Sequence, residues 1–353
     1  MSRALDDILR QPAELTAIIG RLIANNGAAI EQAARSFDDT SPILVVGMGS
    51  SYNAAMAVAA LFQMAGSVAL ALEASELLHF WQIPDGINVM ILSRSGKSIE
   101  IVQLIDRLAD LNARTVAVTN TPDSPLAQGA RTVVHLGAAF DHNVSFTMYS
   151  GLALAGGLIA ARHAGKSLDQ LSKGIVAGLN DAQRRLSQWQ RSLDGHAWTR
   201  QSGPTYFLAR GPSLASCHEA RLLWEEAGKS PAAALSTGGF RHGSQEIVKP
   251  GLRIGLWLDA DVLALADRQL ISDLRAEGAL VMCIGPKLEA VSADLKLETG
   301  SMPPGWQFLV DILPAQLAAE RVAIEKKEDP DKFRYCAPIV QEEAGLRGGR
   351  QRS

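Results

Sequence analysis

Short apolar runs, most of them closing on glycine, serine or asparagine, recur through the first third of the chain: ILVVG (43–47), VALALEA (68–74), NVMILS (88–93), TVAVTN (115–120) and TVVHLG (132–137). Between them, 51–66 and about 98–111 carry apolar residues three and four apart, which is the helical period. Strands that are apolar throughout, rather than at alternate positions, are buried on both faces. The pattern therefore predicts a parallel sheet with helices above and below it. A helix over about 4–36 precedes the first strand.

A long polar-faced helix follows at about 168–193, and then the same punctuation returns in TYFLARGPS (205–213), AAALS (232–236), RIGLWLD (253–259) and LVMCIG (280–285). Helices are expected over 264–277 and about 306–327. The fold class read from this is α/β, with two similar halves in tandem joined near 195–203. The expected segments are an N-terminal helical stretch (1–40), a first domain (41–194), a second domain (204–343) and a tail (344–353). In such sheets ligands sit beyond the carboxyl ends of the strands, where turns lead into helices.

Composition narrows the partners. The 353 residues include 34 Lys and Arg against 37 Asp and Glu, a net charge of −3, so no polyanion-binding surface and no nucleic-acid partner is expected. Cys217, Cys283 and Cys336 have neither CxxC spacing nor an even framework, which suits a reducing cytosol, and the first two sit in apolar patterns as small hydrophobes. The start, MSRALDDILRQPAEL, lacks the apolar core of a signal peptide, and GLALAGGLIAA is too short to span a bilayer. A soluble cytoplasmic protein with no membrane partner is expected. His135, His142 and His218 show no metal-ligand spacing with other His, Cys or acids, so neither metal nor cofactor is expected.

The chemistry is announced by two turns, GMGSS (47–51) and SRSGKS (93–98). Each joins a strand to a helix, so each sets backbone N–H groups, short hydroxyls and a helix N-terminus at one sheet edge, as a phosphate monoester requires. Neither is GxGxxG followed by an acid, nor GxxxxGK[ST]. One such turn would be read as an ordinary helix cap; two in neighbouring units point to an anion site.

GMGSSYNAA, SRSGKSIE and TNTPDSPLA (119–127), with ARGPSLASCHEARLLWEEAGKSPAAALSTGGFRHGSQEIV in the second half, resemble the sugar isomerase (SIS) family. Over about 40–340 the doubling is similar to the isomerase half of glucosamine-6-phosphate synthase. The resemblance implies two tandem SIS domains, each a flavodoxin-like three-layer sheet. It implies phosphate binding by the side chains of Ser51, Ser93, Ser95 and Ser98 and by the backbone of Ser50 and Arg94. Arg94 replaces a glutamine common in the synthases and could add a charge-assisted contact. Val144, in HNVSFT, matches a position whose backbone approaches the sugar; Phe146, Thr147 and Met148 depart from the family's STK beside it.

Glu226 in LLWEE and His242 in FRHG have the family's sixteen-residue spacing between catalytic glutamate and histidine. By resemblance Glu226 moves a proton between C1 and C2 of an open-chain sugar phosphate, and His242 opens the ring, usually in the neighbouring subunit's site, which implies a homodimer. Beside Leu223 and Trp224 a carboxylate would hold a proton more readily than in water, which suits a group that must both take and give one. Glu225 is the rival for that role.

Two departures redirect the expected reaction. Leu223 stands where the synthases carry a lysine, and Pro338 stands where their C-terminal Schiff-base lysine would be. No glutaminase segment is read in the chain either. The expected substrates therefore already carry nitrogen: 6-phosphorylated Amadori conjugates cleaved by a deglycase, or aminosugar 6-phosphates acted on by a deaminase or isomerase. A non-catalytic phosphosugar sensor is the alternative of another class; a fused regulator is disfavoured because no helix-turn-helix is read before residue 40.

Overall fold

The computed structural model describes residues 2–38, 40–259, 261–337, 339–343 and 345. They form two compact units. One comprises Glu14–Lys173 with Phe333–Ser353, the other Met1–Ala13 with Gly174–Lys332. The helix α1 (Arg3–Arg35) contributes residues to both.

In the first unit the chain runs through β1 (Ile43–Gly47), α2 (Ser50–Met64), β2 (Ala69–Glu73), α3 (Ala74–Phe80), β3 (Asn88–Ser93), α4 (Ile99–Asp110), β4 (Arg114–Thr119), α5 (Pro125–Gly129), β5 (Thr132–His135) and α6 (Thr147–His163). All five strands are parallel, in the order β2-β1-β3-β4-β5. β1, β3 and most of β4 are buried on both faces, as their unbroken apolar runs require. On one face Leu44, Val46, Val89 and Ile91 pack with Leu77, Leu104, Ile105 and Leu108. α6 is buried from Thr147 to Ala161. Gly156 allows it to lie against α2, since a Cβ there would come within 2.6 Å of Val58. The periodicity argument did not identify α6, because a helix that is apolar on every side has no amphipathic stripe.

The second unit contains most of α7 (Leu168–Leu193), then α8 (Ala197–Arg200), β6 (Thr205–Ala209), α9 (Ser213–Glu226), β7 (Ala232–Ser236), α10 (Thr237–Phe240), a 3-10 turn (Ser244–Ile247), β8 (Arg253–Trp257), α11 (Ala264–Ala276), β9 (Leu280–Gly285), β10 (Leu295–Glu298) and α12 (Phe308–Glu325). Its sheet order, β10-β9-β8-β6-β7, is the first order read from the other edge, and it too is parallel throughout. The sequence reading assigns α7 to the first domain, whereas residues 174–193 group with the second sheet, where Trp189 Nε1 donates to the Glu298 carbonyl at 3.0 Å. An amphipathic stripe specifies a buried face but not the sheet that covers it.

Candidate active site

The order 2-1-3-4-5 reverses direction between β1 and β3, so these adjacent strands leave a crevice at their carboxyl ends. Both serine-rich turns open there. Val46 is in register with Ile91, and one or two residues later the two turns begin. Gly47 makes the first turn possible: a Cβ on it would lie 2.4 Å from the backbone carbon of Ser51. Gly49 then turns the chain at φ 54° into α2. In the second turn Gly96 has φ +61°, and its α-carbon leaves no room for a side chain beside Ser124, whose Oγ would be 2.3 Å away.

The serines are not occupied as ordinary helix caps. Ser98 holds the N-cap position of α4 but makes no side-chain cap bond, and the N-terminus of α2 has no side-chain cap either. Ser124, by contrast, caps α5 by accepting from Ala127 N at 3.3 Å. Ser93 is buried and its Oγ accepts from Gly96 N at 3.0 Å, while Ser95 Oγ accepts from Lys97 N at 3.2 Å, so both hydroxyls hold the turn and keep their protons to donate. Ser50, Ser51, Arg94, Ser95 and Ser98 are all partly exposed. Two uncapped helix N-termini and several hydroxyls thus lie at the carboxyl ends of adjacent strands, an arrangement suited to an anion. Ser98→Ala is expected to weaken phosphosugar binding about tenfold, the worth of a hydrogen bond to a charged group, with little change in stability. A drop of about 1 kcal/mol in stability with unchanged affinity would instead make Ser98 a cap.

Val144 lies beside this crevice in the loop before α6. It is buried, and Arg94 Nη1 approaches the carbonyl of the preceding Asn143 at 3.5 Å. Two residues that sequence reasoning did not single out hold that loop. Asn120 exchanges two hydrogen bonds of 2.9 Å with the backbone of Ala138. Buried Asp141 accepts from Thr147 N at 3.1 Å and Met148 N at 2.9 Å, capping α6 from six residues away. A cap that distant has no local sequence signature. Phe146, Thr147 and Met148 are all buried, so the altered triplet begins a core helix.

Glu226 ends α9 and is half-buried, next to fully buried Leu223 and Trp224. Its rival Glu225 is paired with Arg221 at 2.7 Å. The carboxyl end of α9 is fixed from below by Arg253, whose guanidinium carbon lies 5.3 Å from the Trp224 ring and 5.6 Å from Trp198. Burial lowers the Arg253 pKa to about 10. The ammonium of Lys229 reaches the Glu226 carbonyl. His242 follows α10 in an exposed stretch. Glu226 precedes β7 and His242 follows it, so the two lie towards opposite ends of that strand.

At the switch point of the second sheet the chain supplies its own anions. Asp311, wholly buried, accepts from Ser213 Oγ at 2.6 Å and Ser216 Oγ at 2.5 Å at the start of α9, and buried Asp267 accepts from Arg210 Nε at 2.9 Å. Desolvation pushes Asp311 up to about 7 and raises Asp267 despite its arginine. A group whose pKa rises on folding stabilises below its unfolded pKa and loses that contribution as pH climbs through the folded one. From an ordinary 3.8 to about 7, the stability difference between wild type and Asp311→Asn should fall by up to ~4 kcal/mol as pH rises from about 4 to 8. Urea melts across that range check this; a flat difference would contradict the assignment.

Burial also pushes the Cys283 thiol up to about 12 and raises Cys217, so both behave as packed apolar groups. Among the described residues no group of three or more His, Cys, Asp or Glu is placed to hold a metal, and no helix is long and apolar enough to cross a membrane. Pro338 lies outside the described residues, as does nearly all of the basic tail.

Residues 37–157 match the SIS domain family model. Along the sequence, the chain is 26% identical to the isomerizing glutamine–fructose-6-phosphate aminotransferase of Aeropyrum pernix, over 95% of this chain but 56% of that protein, so it spans about half the length of such relatives. In structure it superposes on a glucosamine-6-phosphate deaminase from Thermotoga maritima with a TM-score of 0.79 at 22% identity, covering 96% of this chain and 99% of the other. It superposes on the C-terminal domain of the glucosamine-fructose-6-phosphate aminotransferase of Francisella tularensis with a TM-score of 0.82 at 21% identity, covering 93% and 97%. The second sheet has the same strand order as the first, while the family model matches only the first. The stretch that matches the SIS domain model includes both serine-rich turns, and nearly the whole chain is similar in fold to these two proteins.

Proposed function

We propose that the chain is an enzyme acting on 6-phosphorylated amino- or Amadori sugars, of the fructosamine-6-phosphate deglycase type, built from two SIS-like units. The observation that carries this reading is the pair of serine-rich turns at the carboxyl ends of adjacent β1 and β3, each leading into a helix with no side-chain cap. The substrate's phosphate is held there by Ser51, Ser93, Ser95, Ser98 and the backbone of Ser50 and Arg94, with Val144 beside the sugar. Glu226 removes a proton from C1 of the 1-amino-1-deoxyketose and returns one to C2. The product of that transfer is an imine, which water cleaves to an aldose 6-phosphate and a free amine. His242 opens the ring by moving a proton at the ring oxygen.

The placement of Glu226 and His242 on either side of β7 favours a site in which a second copy supplies one of them. Exposed apolar side chains around the edge strand β2 favour such a homodimer: Val68 is 67% exposed, Leu70 42% and, at the end of α3, Phe80 77%. The likeness in fold to a protein described as a glucosamine-6-phosphate deaminase favours a second reading, in which the same proton transfer on an aminosugar phosphate releases ammonia.

A coupled assay for glucose 6-phosphate release from 6-phosphofructosyl-amino acids, run beside ammonia release from glucosamine 6-phosphate, separates the two. Turnover of the conjugate is the expected result. Ammonia from the aminosugar alone would make the protein a deaminase, and binding without turnover of either would make it a sensor.

A further inference from the structure

The unit that carries the serine crevice also contains a cavity of about 380 Å³ on the same, carboxyl side of the sheet. Met48 lines it from the first turn, His79 from α3 and Glu100 from the first turn of α4, and the tail closes it with Val340, Glu342 and Glu343. The tail is held in place by Ile99 N donating to the Val340 carbonyl at 3.1 Å and by Glu343, whose oxygens lie 2.9 and 3.1 Å from His79 Nε2. Three carboxylates and one imidazole thus face a common space, with no lysine or arginine among the described residues that line it.

Glu100 distinguishes this cavity from a solvated acidic patch. It is only 8% exposed, and its Oε2 is buried with no hydrogen-bond partner. A place in the first turn of α4 accounts for a negative residue, but not for a buried carboxylate oxygen left without a donor. The group that relieves it is a cation bearing N–H donors. Met48 and Glu100 each lie two residues from a serine of the crevice, Ser50 and Ser98, a reach of at most ~7 Å along the chain. Anion site and acidic cavity therefore adjoin.

We propose that this cavity takes a cationic amine portion of the substrate, an ammonium or guanidinium group on the amine side of a 6-phosphorylated conjugate, with Glu100 as acceptor and Glu342 and Glu343 as its electrostatic surround. The inference rests on the reading of the crevice as a sugar-phosphate site and adds which conjugates that site prefers. Conjugates ending in a carboxylate are disfavoured by the same charges.

Calorimetry with three probes tests it: glucose 6-phosphate, and the 6-phosphofructosyl conjugates of 1,5-diaminopentane and of 5-aminopentanoate, which match in length and end in opposite charges. The wild type should bind the ammonium-ended probe at least about tenfold more tightly than the carboxylate-ended one. That ratio should collapse towards one in Glu100→Gln and fall in Glu343→Gln, which alters the exposed tail and leaves the core of α4 intact. Equal affinities in the wild type, or a ratio unchanged in both variants, overturns the proposal. If glucose 6-phosphate binds with no preference for the ammonium end, the cavity assignment alone fails. If glucose 6-phosphate does not bind the wild type at all, the phosphate reading fails and this inference falls with it.

Discussion

Glu226→Gln should bind phosphosugar within a few-fold of wild type and lose turnover by roughly 10²–10⁴, the usual worth of a positioned general base. The two effects separate because Glu226 lies in the second unit, at the carboxyl end of α9, while the serine turns proposed to hold phosphate lie in the first. Glutamine keeps the volume and hydrogen-bonding shape of the side chain but cannot accept and return a proton. The half-buried position next to Trp224 is held by packing and by Arg253 beneath it, so thermal stability should change little. A sensor would show the reverse logic: no turnover to lose, and affinity as the only quantity that matters.

The same variant tests the shared site. Mixed with His242→Ala protomers, Glu226→Gln should regain activity in heterodimers, since one of the two sites then carries both an intact glutamate and an intact histidine. Failure to complement in mixtures shown by mass to contain heterodimers would mean that one chain supplies both groups, which the opposite placement of the two about β7 argues against.

Gly47→Ala should be the most damaging single-methyl change in the first unit. The added Cβ would sit 2.4 Å from the carbonyl carbon and 2.5 Å from the carbonyl oxygen of Ser51, backbone atoms of the first turn of α2 that no rotamer change can move aside. Either β1 or α2 must shift, and α2 is pinned on its other side by α6, where Val58 meets Gly156. Overpacking of this kind costs about 3 kcal/mol, which for a unit of this size lowers Tm by roughly 6–12 °C. Phosphosugar binding should weaken as well, because Ser50 and Ser51 ride on the displaced turn. Gly20→Ala is the matched control: it lies inside α1 with nothing within 4 Å of the new methyl, and alanine there should stabilise the helix by up to about 1 kcal/mol. Equal melting temperatures for the two variants would show that the close approach at Gly47 does not constrain the turn.

Much of the architecture follows from local pattern. The strands β1, β3, β6 and β9 were legible as printed in the chain, because a strand covered on both faces is apolar almost throughout and ends where the chain turns towards a helix. That the turns GMGSS and SRSGKS open at one sheet edge was legible because any parallel βα unit places its turn at the carboxyl edge, whereas the choice of Ser51, Ser93, Ser95 and Ser98 within them came from the family resemblance. β10 was missed: its LKLE buries only alternate residues at a sheet edge and is too short to show a period. α6 was missed for the opposite reason, being buried on every side.

What the sequence by itself determined is therefore the class of fold, the two sheets and the position of the serine-rich turns, all of which depend on neighbours close in the chain. Tertiary structure decided what depends on distant partners. It set most of α7 against the second sheet, capped α6 with Asp141, and placed Asp267 and Asp311 at the second switch point. It set Glu226 and His242 towards opposite ends of β7, the strand that lies between them in the chain. It also brought Glu100 and Glu343, far apart in the chain, to one cavity, because the tail returns to the first sheet. Periodicity records which face of an element is buried; which element buries it is decided only when the whole chain packs.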